Sequence, residues 1–252
     1  MQHDLVSIIT PAYRAARVIR ETISSVQAQS YRNWEMLITE DCGPDDTRDI
    51  VRAIAADDHR IRLIEPEANG GPAAARNHSL AAARGRWVAF LDSDDLWMPQ
   101  KLDRQLAFHR EHPGSKISFT GFRRTSADGA RTGRYIPVPP HMTYRDLLGR
   151  TAIATSTVIV DKAASGAFTM KNTYYDDFAC WLELLREGGQ AVGLDEDLMR
   201  YRVLDASVSR DKTNSAKQVW NTLRHVEGLS PLSAAWHFSR YAAFATLKYR
   251  KF

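Results

Sequence analysis

Trp87-Val88-Ala89-Phe90-Leu91-Asp92-Ser93-Asp94-Asp95 sets an apolar run directly against three carboxylates within four residues. A short apolar run bounded by polar residues reads as a buried strand, so the acidic cluster is delivered to one edge of a sheet. Carboxylates that close repel one another. A divalent cation, backbone donors or water relieve the repulsion, and the stretch therefore reads as a metal and phosphate site.

Working outward, the same unit recurs. Leu5 to Thr10 is a predicted strand stopped by Pro11, and Val18, Ile19, Ile23 and Val26 then repeat at a helical period as far as Gln29-Ser30. Glu35 to Thr39 is a second strand, followed by a loop whose last acidic residues are placed to cap a helix over Ile50 to Ala56. A third strand, Ile61 to Ile64, leads through Asn69-Gly70-Gly71-Pro72 into a helix running to Ala83. After the Trp87–Leu91 strand, Pro99 opens a helix through Leu102, Leu106 and Phe108. Four strand–helix units in succession predict an α/β fold: a Rossmann-like, mostly parallel sheet with helices on both faces. Ligands of such sheets bind at the carboxyl ends of the strands, which here carry Pro11-Ala12-Tyr13, Glu40-Asp41 and the acidic run.

Beyond about residue 113 the alternation stops. Strands are predicted over Lys116 to Phe122, Thr155 to Val160 and Leu198 to Val203, with a hairpin turn at Ala127-Asp128-Gly129. Pro137, Pro139 and Pro140 mark a loop over the sheet edge, and Asp176-Asp177 precedes a helix carrying Phe178, Trp181, Leu182 and Leu185. No repeat or low-complexity tract is present.

The chain of 252 residues is 44% apolar and 25% charged, an ordinary globular composition. Cys42 and Cys180 fit no metal or redox spacing, which points to a reducing compartment. The N-terminus lacks a signal-peptide pattern, and no segment stays apolar for the roughly 20 residues of a spanning helix. The expectation is a cytoplasmic protein, soluble or peripheral on the inner face of a membrane. The net charge of +4 is concentrated in the tail: from Arg210 onward eight Lys/Arg stand against two Asp/Glu. There Trp220, Trp236, Phe238, Tyr241, Phe244, Tyr249 and Phe252 interleave with Arg224, Arg240, Lys248, Arg250 and Lys251. Such a tail either lies on an anionic membrane surface or packs its aromatics onto the domain. No nucleic-acid partner is expected.

Taken together, Val6-Ser7-Ile8-Ile9-Thr10-Pro11-Ala12-Tyr13, Glu40-Asp41, Ala75-Arg76-Asn77, Phe90-Leu91-Asp92-Ser93-Asp94-Asp95 and Asp176-Asp177 four residues before Trp181 resemble family 2 glycosyltransferases in order and spacing. The resemblance covers about residues 5 to 210. It implies a GT-A fold, a UDP-sugar donor, Mn²⁺ or Mg²⁺, and inversion at the anomeric carbon in a hexosyltransferase-type reaction. Under it, residues 1–112 form the nucleotide-sugar half and 113–210 the smaller mixed region with acceptor site and base. Residues 211–252 form a helical tail.

The resemblance also implies roles for residues. Asp94 would bind the metal, and Asp92, with Ser93, would meet the ribose or a metal-bound water. Asp95 would contribute there or serve only to begin the next helix. Pro11, Ala12, Tyr13 and Asp41 would hold the nucleoside, with Tyr13 otherwise an ordinary packed aromatic. The family's Asp-Asp-Gly-Ser is here Glu40-Asp41-Cys42-Gly43, a departure that bears on which base is read. Arg76 would reach the diphosphate, hold the acidic cluster or stand in solvent.

Asp177 matches the family's general base, with Asp176 and Trp181 beside the acceptor; an N-terminal helix cap is the competing role. Tyr201-Arg202 and Ser207 to Arg210 would form a loop closing over the donor, bringing Arg202, Arg210 or Lys212 to the diphosphate, or a plain connector. The acceptor would be a glycan hydroxyl, lipid-linked in the assembly of bacterial surface polysaccharide. Sugar-phosphate nucleotidyltransferases are disfavoured because no glycine follows Thr10. Aspartate-nucleophile phosphatases are disfavoured because Leu96 stands at the fifth position of the acidic motif. A nucleotide- or sugar-binding module of the same fold without catalysis is the alternative.

Overall fold

A computed structural model of the chain describes residues 4–204 and 212–249. Its first half alternates as the periodicity requires: β1 (Val6–Ala12), α1 (Ile19–Gln27), β2 (Trp34–Glu40), α2 (Thr47–Asp57), β3 (Ile61–Ile64), α3 (Gly71–Ala82), β4 (Trp87–Phe90), β5 (Leu96–Trp97) and α4 (Lys101–Arg110). The second half runs β6 (Ile117–Ser126), β7 (Thr132–Ile136), β8 (His141–Met142), α5 (Tyr144–Leu148), β9 (Ile159–Asp161), α6 (Lys162–Ser165), α7 (Asp176–Arg186), β10 (Ala191–Val203), α8 (Lys212–Asn221) and α9 (Pro231–Tyr249).

The ten strands of the described residues join one sheet, ordered β3-β2-β1-β4-β9-β6-β10-β5, with β7 beside β6 and β8 beside β10. β3, β2, β1 and β4 are mutually parallel, β9 is antiparallel to both neighbours, and β6 pairs parallel with β10. Alternate side chains enter two separate cores, as a pleated strand buried on both faces demands. Ile9, Leu37, Val88 and Phe90 face α3, α5, α7, α8 and α9, whereas Ile8, Met36, Ile38 and Ala89 face α1, α2 and α4.

Several expectations are corrected. β1 continues through Pro11 to Ala12. Its pairing with β4 ends at Ile9, so Pro11 lies where one neighbour has already left and a missing N–H is tolerated. The Thr155–Val160 strand is instead a 3₁₀ turn over Thr155–Thr157 followed by β9. β10 is far longer than Leu198 to Val203, because its acidic middle is satisfied sideways. Asp195 accepts from the Tyr135 hydroxyl at 2.6 Å, Glu196 pairs with Arg104, and Asp197 pairs with Arg123 at 2.6 Å. Asp46 at the cap position of α2 makes no side-chain cap bond; the residue before it, Asp45, accepts instead, its Oδ1 from the Thr47 hydroxyl at 2.7 Å and from the Thr47 N–H at 3.3 Å.

The Pro137–Pro140 loop does close on the sheet: the Gly193 N–H donates to the Pro140 carbonyl at 2.8 Å. A Cβ at Gly193 would stand 2.0 Å from the Pro139 carbonyl oxygen. Gly193→Ala is therefore expected to cost about 1–3 kcal/mol through backbone displacement, read by urea unfolding.

Candidate active site

Because β2, β1 and β4 are adjacent and parallel, their carboxyl ends gather Glu40-Asp41, Ala12-Tyr13 and Asp92–Asp95 along one edge. The strand ends are buried but Tyr13 is not; it is 46% exposed, with the Arg14 guanidinium 5.2 Å from its ring centroid. Ala12 is buried and Pro11 partly so. Asp41 is spent in part on local structure. Its two carboxylate oxygens accept from the Gly70 and Gly71 N–H at 2.9 and 2.8 Å, fixing the start of α3, and each keeps a lone pair for a further donor. Glu40, the departure from the family motif, is wholly buried, accepting from the Gly43 N–H at 2.7 Å and from Arg48 at 3.1 Å.

Arg76 joins the two parts of the site. From the middle of α3 its guanidinium donates to Asp92 and to Asp176, each at 2.6 Å. The residue is only 6% exposed. Burial by itself would lower its pKa, but Asp92, Asp176 and Asp177 around it raise it. Of the roles left open for Arg76, the structure shows it holding the acidic cluster. Its neighbour Asn77 completes the dock: its amide donates to the Met170 carbonyl at 2.8 Å and accepts from the Met170 N–H at 2.7 Å. The α7 N-terminus is thereby held beside the end of β4.

Within the acidic loop the carboxylates differ. Asp94 is partly exposed and makes no ion pair among the described residues. Burial, and then the charge of Asp92, pushes its pKa up to about 6. A divalent cation would relieve that strain. Among the described residues no three His, Cys, Asp or Glu side chains are grouped to hold a metal. A cation here would thus draw most of its oxygens from a ligand, the usual arrangement for Mg²⁺ held by one or two carboxylates and substrate phosphates. Hard carboxylate oxygens beside an exposed edge fit such an ion. Asp95 is buried instead, accepts from the Arg202 N–H at 2.9 Å, and is pushed well up by burial and by Asp94 and Asp92. Ser93 is fixed through its carbonyl, which accepts from the Thr22 hydroxyl at 2.9 Å.

Asp177 lies in the first turn of α7. Its Oδ2 accepts from the Thr155 hydroxyl and its Oδ1 from the Phe178 N–H at 2.6 Å. Burial, then the adjacent Asp176, raises its pKa. The residue at the cap position is Tyr175, with no side-chain cap bond.

Two predicted contacts are corrected. Trp181 is 1% exposed and packs edge-on against Phe90 at 5.2 Å, because its place in α7 faces the core. Arg202 is 2% exposed and donates to the Asp94 carbonyl and the Ala127 carbonyl, each at 2.9 Å, and to the Glu21 carboxylate. It braces the acidic loop from beneath. Arg210 lies outside the described residues, as do the Lys212 side chain, Arg250, Lys251 and Phe252. Sequence reasoning missed Thr155, Ser156 and Glu21. Ser156 Oγ accepts from the Asp92 N–H at 3.0 Å, and the polar triplet Thr155-Ser156-Thr157 was the signal that this stretch turns toward the site.

Residues 7–166 match the family model described as Glycosyl transferase family 2. The chain is 42% identical to a Bacillus subtilis protein named putative teichuronic acid biosynthesis glycosyltransferase TuaG, over 97% of each chain. It is 33% identical to the Escherichia coli UDP-Glc:alpha-D-GlcNAc-diphosphoundecaprenol beta-1,3-glucosyltransferase WfgD, over 99% of this chain and 96% of that one. Among solved structures, S. aureus TarS 1-349 in complex with UDP superposes with TM-score 0.67 at 20% identity, covering 94% of this chain and 70% of that one. Mannosyltransferase PcManGT from Pyrobaculum calidifontis, in complex with GDP-Man and Mn²⁺, gives 0.69 at 17% identity, covering 94% and 73%. The shared architecture is the GT-A fold, and the chain belongs to glycosyl transferase family 2.

Proposed function

We propose that this protein moves a sugar from a UDP-sugar to a hydroxyl of a glycan acceptor, with inversion at the anomeric carbon, in the making of a surface polysaccharide. The observation that carries the reading is the Arg76 bridge. It holds a cation-ready acidic loop and a carboxylate of raised pKa side by side at the carboxyl ends of the parallel strands. The relatives support the chemistry by name: TuaG by its polysaccharide, WfgD by its UDP-glucose donor and its diphosphoundecaprenol-linked acceptor. A lipid-linked glycan is accordingly the proposed acceptor, and TarS has been solved with UDP-GlcNAc.

Residues 1–112 bind the donor. The Tyr13 ring and the free lone pairs of Asp41 receive the nucleoside, with Pro11 and Ala12 forming the floor, and Asp92 and Ser93 meet the ribose. Asp94 holds Mn²⁺ or Mg²⁺, which when bound neutralises charge developing on the departing diphosphate. Residues 113–210 bind the acceptor. Asp177 takes the proton of the acceptor hydroxyl as that oxygen bonds to the anomeric carbon and UDP leaves with the electron pair of the broken C–O bond. A raised pKa makes Asp177 a stronger base, and Thr155 orients it. A binding module without catalysis would have no use for an activated carboxylate beside the donor loop.

The test is a thermal-shift panel of UDP-, GDP-, TDP- and CMP-sugars with Mn²⁺, run beside transfer assays. A UDP-sugar is expected to stabilise wild type and Asp177→Asn alike, while transfer by the variant drops by about 10²–10⁴-fold. The wild-type kcat/KM should fall on its acid side at a pH above the ordinary aspartate range, because Asp177 must be deprotonated to act. Stabilisation by no sugar nucleotide, or full activity of Asp177→Asn, contradicts the reading. Asp94 supplies a second check in chelator. Its pKa is raised on folding from 3.8 to about 6, so its contribution to stability is present at low pH and is lost as pH rises through about 6. Asp94→Asn should lack that loss and unfold at higher urea than metal-free wild type above about pH 7, with the gap closing below about pH 4.

A further inference from the structure

Helix α9 has two unlike faces. Ala234 is buried, and Phe238 and Tyr241 pack beside it onto the core shared with α5, α7 and α8, Phe238 meeting Trp220 edge-on at 5.7 Å. The other face is exposed to solvent. Leu232 is 86% exposed and Trp236 64% exposed, and Ala235, Ser239 and Ala243 continue the stripe at helical spacing. Phe244 flanks it with the Arg150 guanidinium 4.9 Å from its ring centroid. Of the large hydrophobic side chains exposed among the described residues, Leu232, Trp236 and Phe244 all lie on this one helix, and only Tyr13 and Tyr174 lie elsewhere.

Beside the stripe stand the guanidinium of Arg150, over Phe244, and Arg240, whose charge also reaches Asp146 of α5. After Glu227 the sequence contains no Asp or Glu, while Arg240, Lys248, Arg250 and Lys251 follow. An apolar stripe bearing tryptophan, on a C-terminal segment whose own charged residues are all basic, is complementary to the headgroup region of an anionic bilayer. A second copy of the chain fits less well. A stripe twelve residues long is about 18 Å by roughly 10 Å, on the order of 200 Å² per partner, against about 800 Å² per partner in a stable interface. No described helix is long and apolar enough to cross a membrane, so α9 would lie along the surface.

We propose that the Leu232–Trp236–Ala243 face of α9 docks the enzyme on an anionic phospholipid surface. α9 packs on the same side of the sheet as α7, so docking holds the Asp177 side of the molecule near the lipid. This deepens the reading of a lipid-linked acceptor and rests on that reading for its purpose, while the docking itself is measured separately.

The experiment is flotation of the full chain with vesicles of phosphatidylcholine alone and of phosphatidylcholine with phosphatidylglycerol. Wild type should float with the anionic vesicles, less so at high salt, and a Leu232→Glu, Trp236→Glu double variant should bind at least tenfold more weakly with unchanged circular dichroism. Both positions are exposed, so the fold is expected to survive. Absence of wild-type flotation, equal flotation of the variant, or a dimer in solution that the variant dissociates without any vesicle binding would overturn the docking. Donor-induced stabilisation without vesicle binding overturns the docking alone. Vesicle binding without donor-induced stabilisation upholds the docking and overturns the functional reading.

Discussion

The structure depends on one buried cation. Arg76 pairs with a carboxylate 16 residues away at the end of β4 and another 100 residues away at the start of α7. Its desolvation is offset only because both partners are held at hydrogen-bond distance, and removing one member of such a pair costs about 3–5 kcal/mol. Without the guanidinium, Asp92, Asp176 and Asp177 would face one another across a partly dry cleft. The same contact that makes their burial tolerable also sets the distance between the two chemical halves of the site.

Around that bridge the acidic loop is braced from its far side. Arg202 grips the backbone of Asp94, Asp95 accepts from the Arg202 N–H, and Ser156 holds the Asp92 N–H. Asp95 and Arg202 are thus structural partners, and Asp94, more exposed than Asp95, makes no ion pair among the described residues. Asp176 and Asp177 divide in the same way: Asp176 is committed to Arg76, while Asp177 accepts from the neutral donors Thr155 and Phe178 and keeps a raised pKa. In each acidic cluster one residue is committed to the fold and another keeps a raised pKa without an ion pair among the described residues.

The parallel half of the fold was legible because its strands are largely apolar runs and two of its helices carry a proline at or just before their first turn, Pro72 in α3 and Pro99 ahead of α4. Local chemistry decides those elements. In the second half the strand near Lys116, the hairpin turn at Ala127-Asp128-Gly129 and α7 were legible, but most of β10 was not, since it carries Asp195-Glu196-Asp197 in its middle, where Tyr135, Arg104 and Arg123 from distant segments make the acids acceptable. The acidic loop and the α7 start were visible as motifs. That Arg76 joins them was left open, and that Arg202 turns inward was missed, because a salt bridge spanning a hundred residues leaves no local periodicity. Trp181 misled for a related reason, as a tryptophan beside acidic residues reads equally as a sugar platform or as core. The amphipathic tail was legible as two alternatives; the structure shows Phe238 and Tyr241 packed onto the domain, with Leu232 and Trp236 exposed on the opposite face of α9.

The most direct test of the Arg76 bridge is a double-mutant cycle of Arg76→Met and Asp176→Asn, read on both unfolding free energy and kcat/KM for transfer. Coupling of about 1–3 kcal/mol is expected in each readout, with the double variant little worse than Arg76→Met alone. Strictly additive losses would contradict it, showing that the acidic loop and the start of α7 are positioned independently.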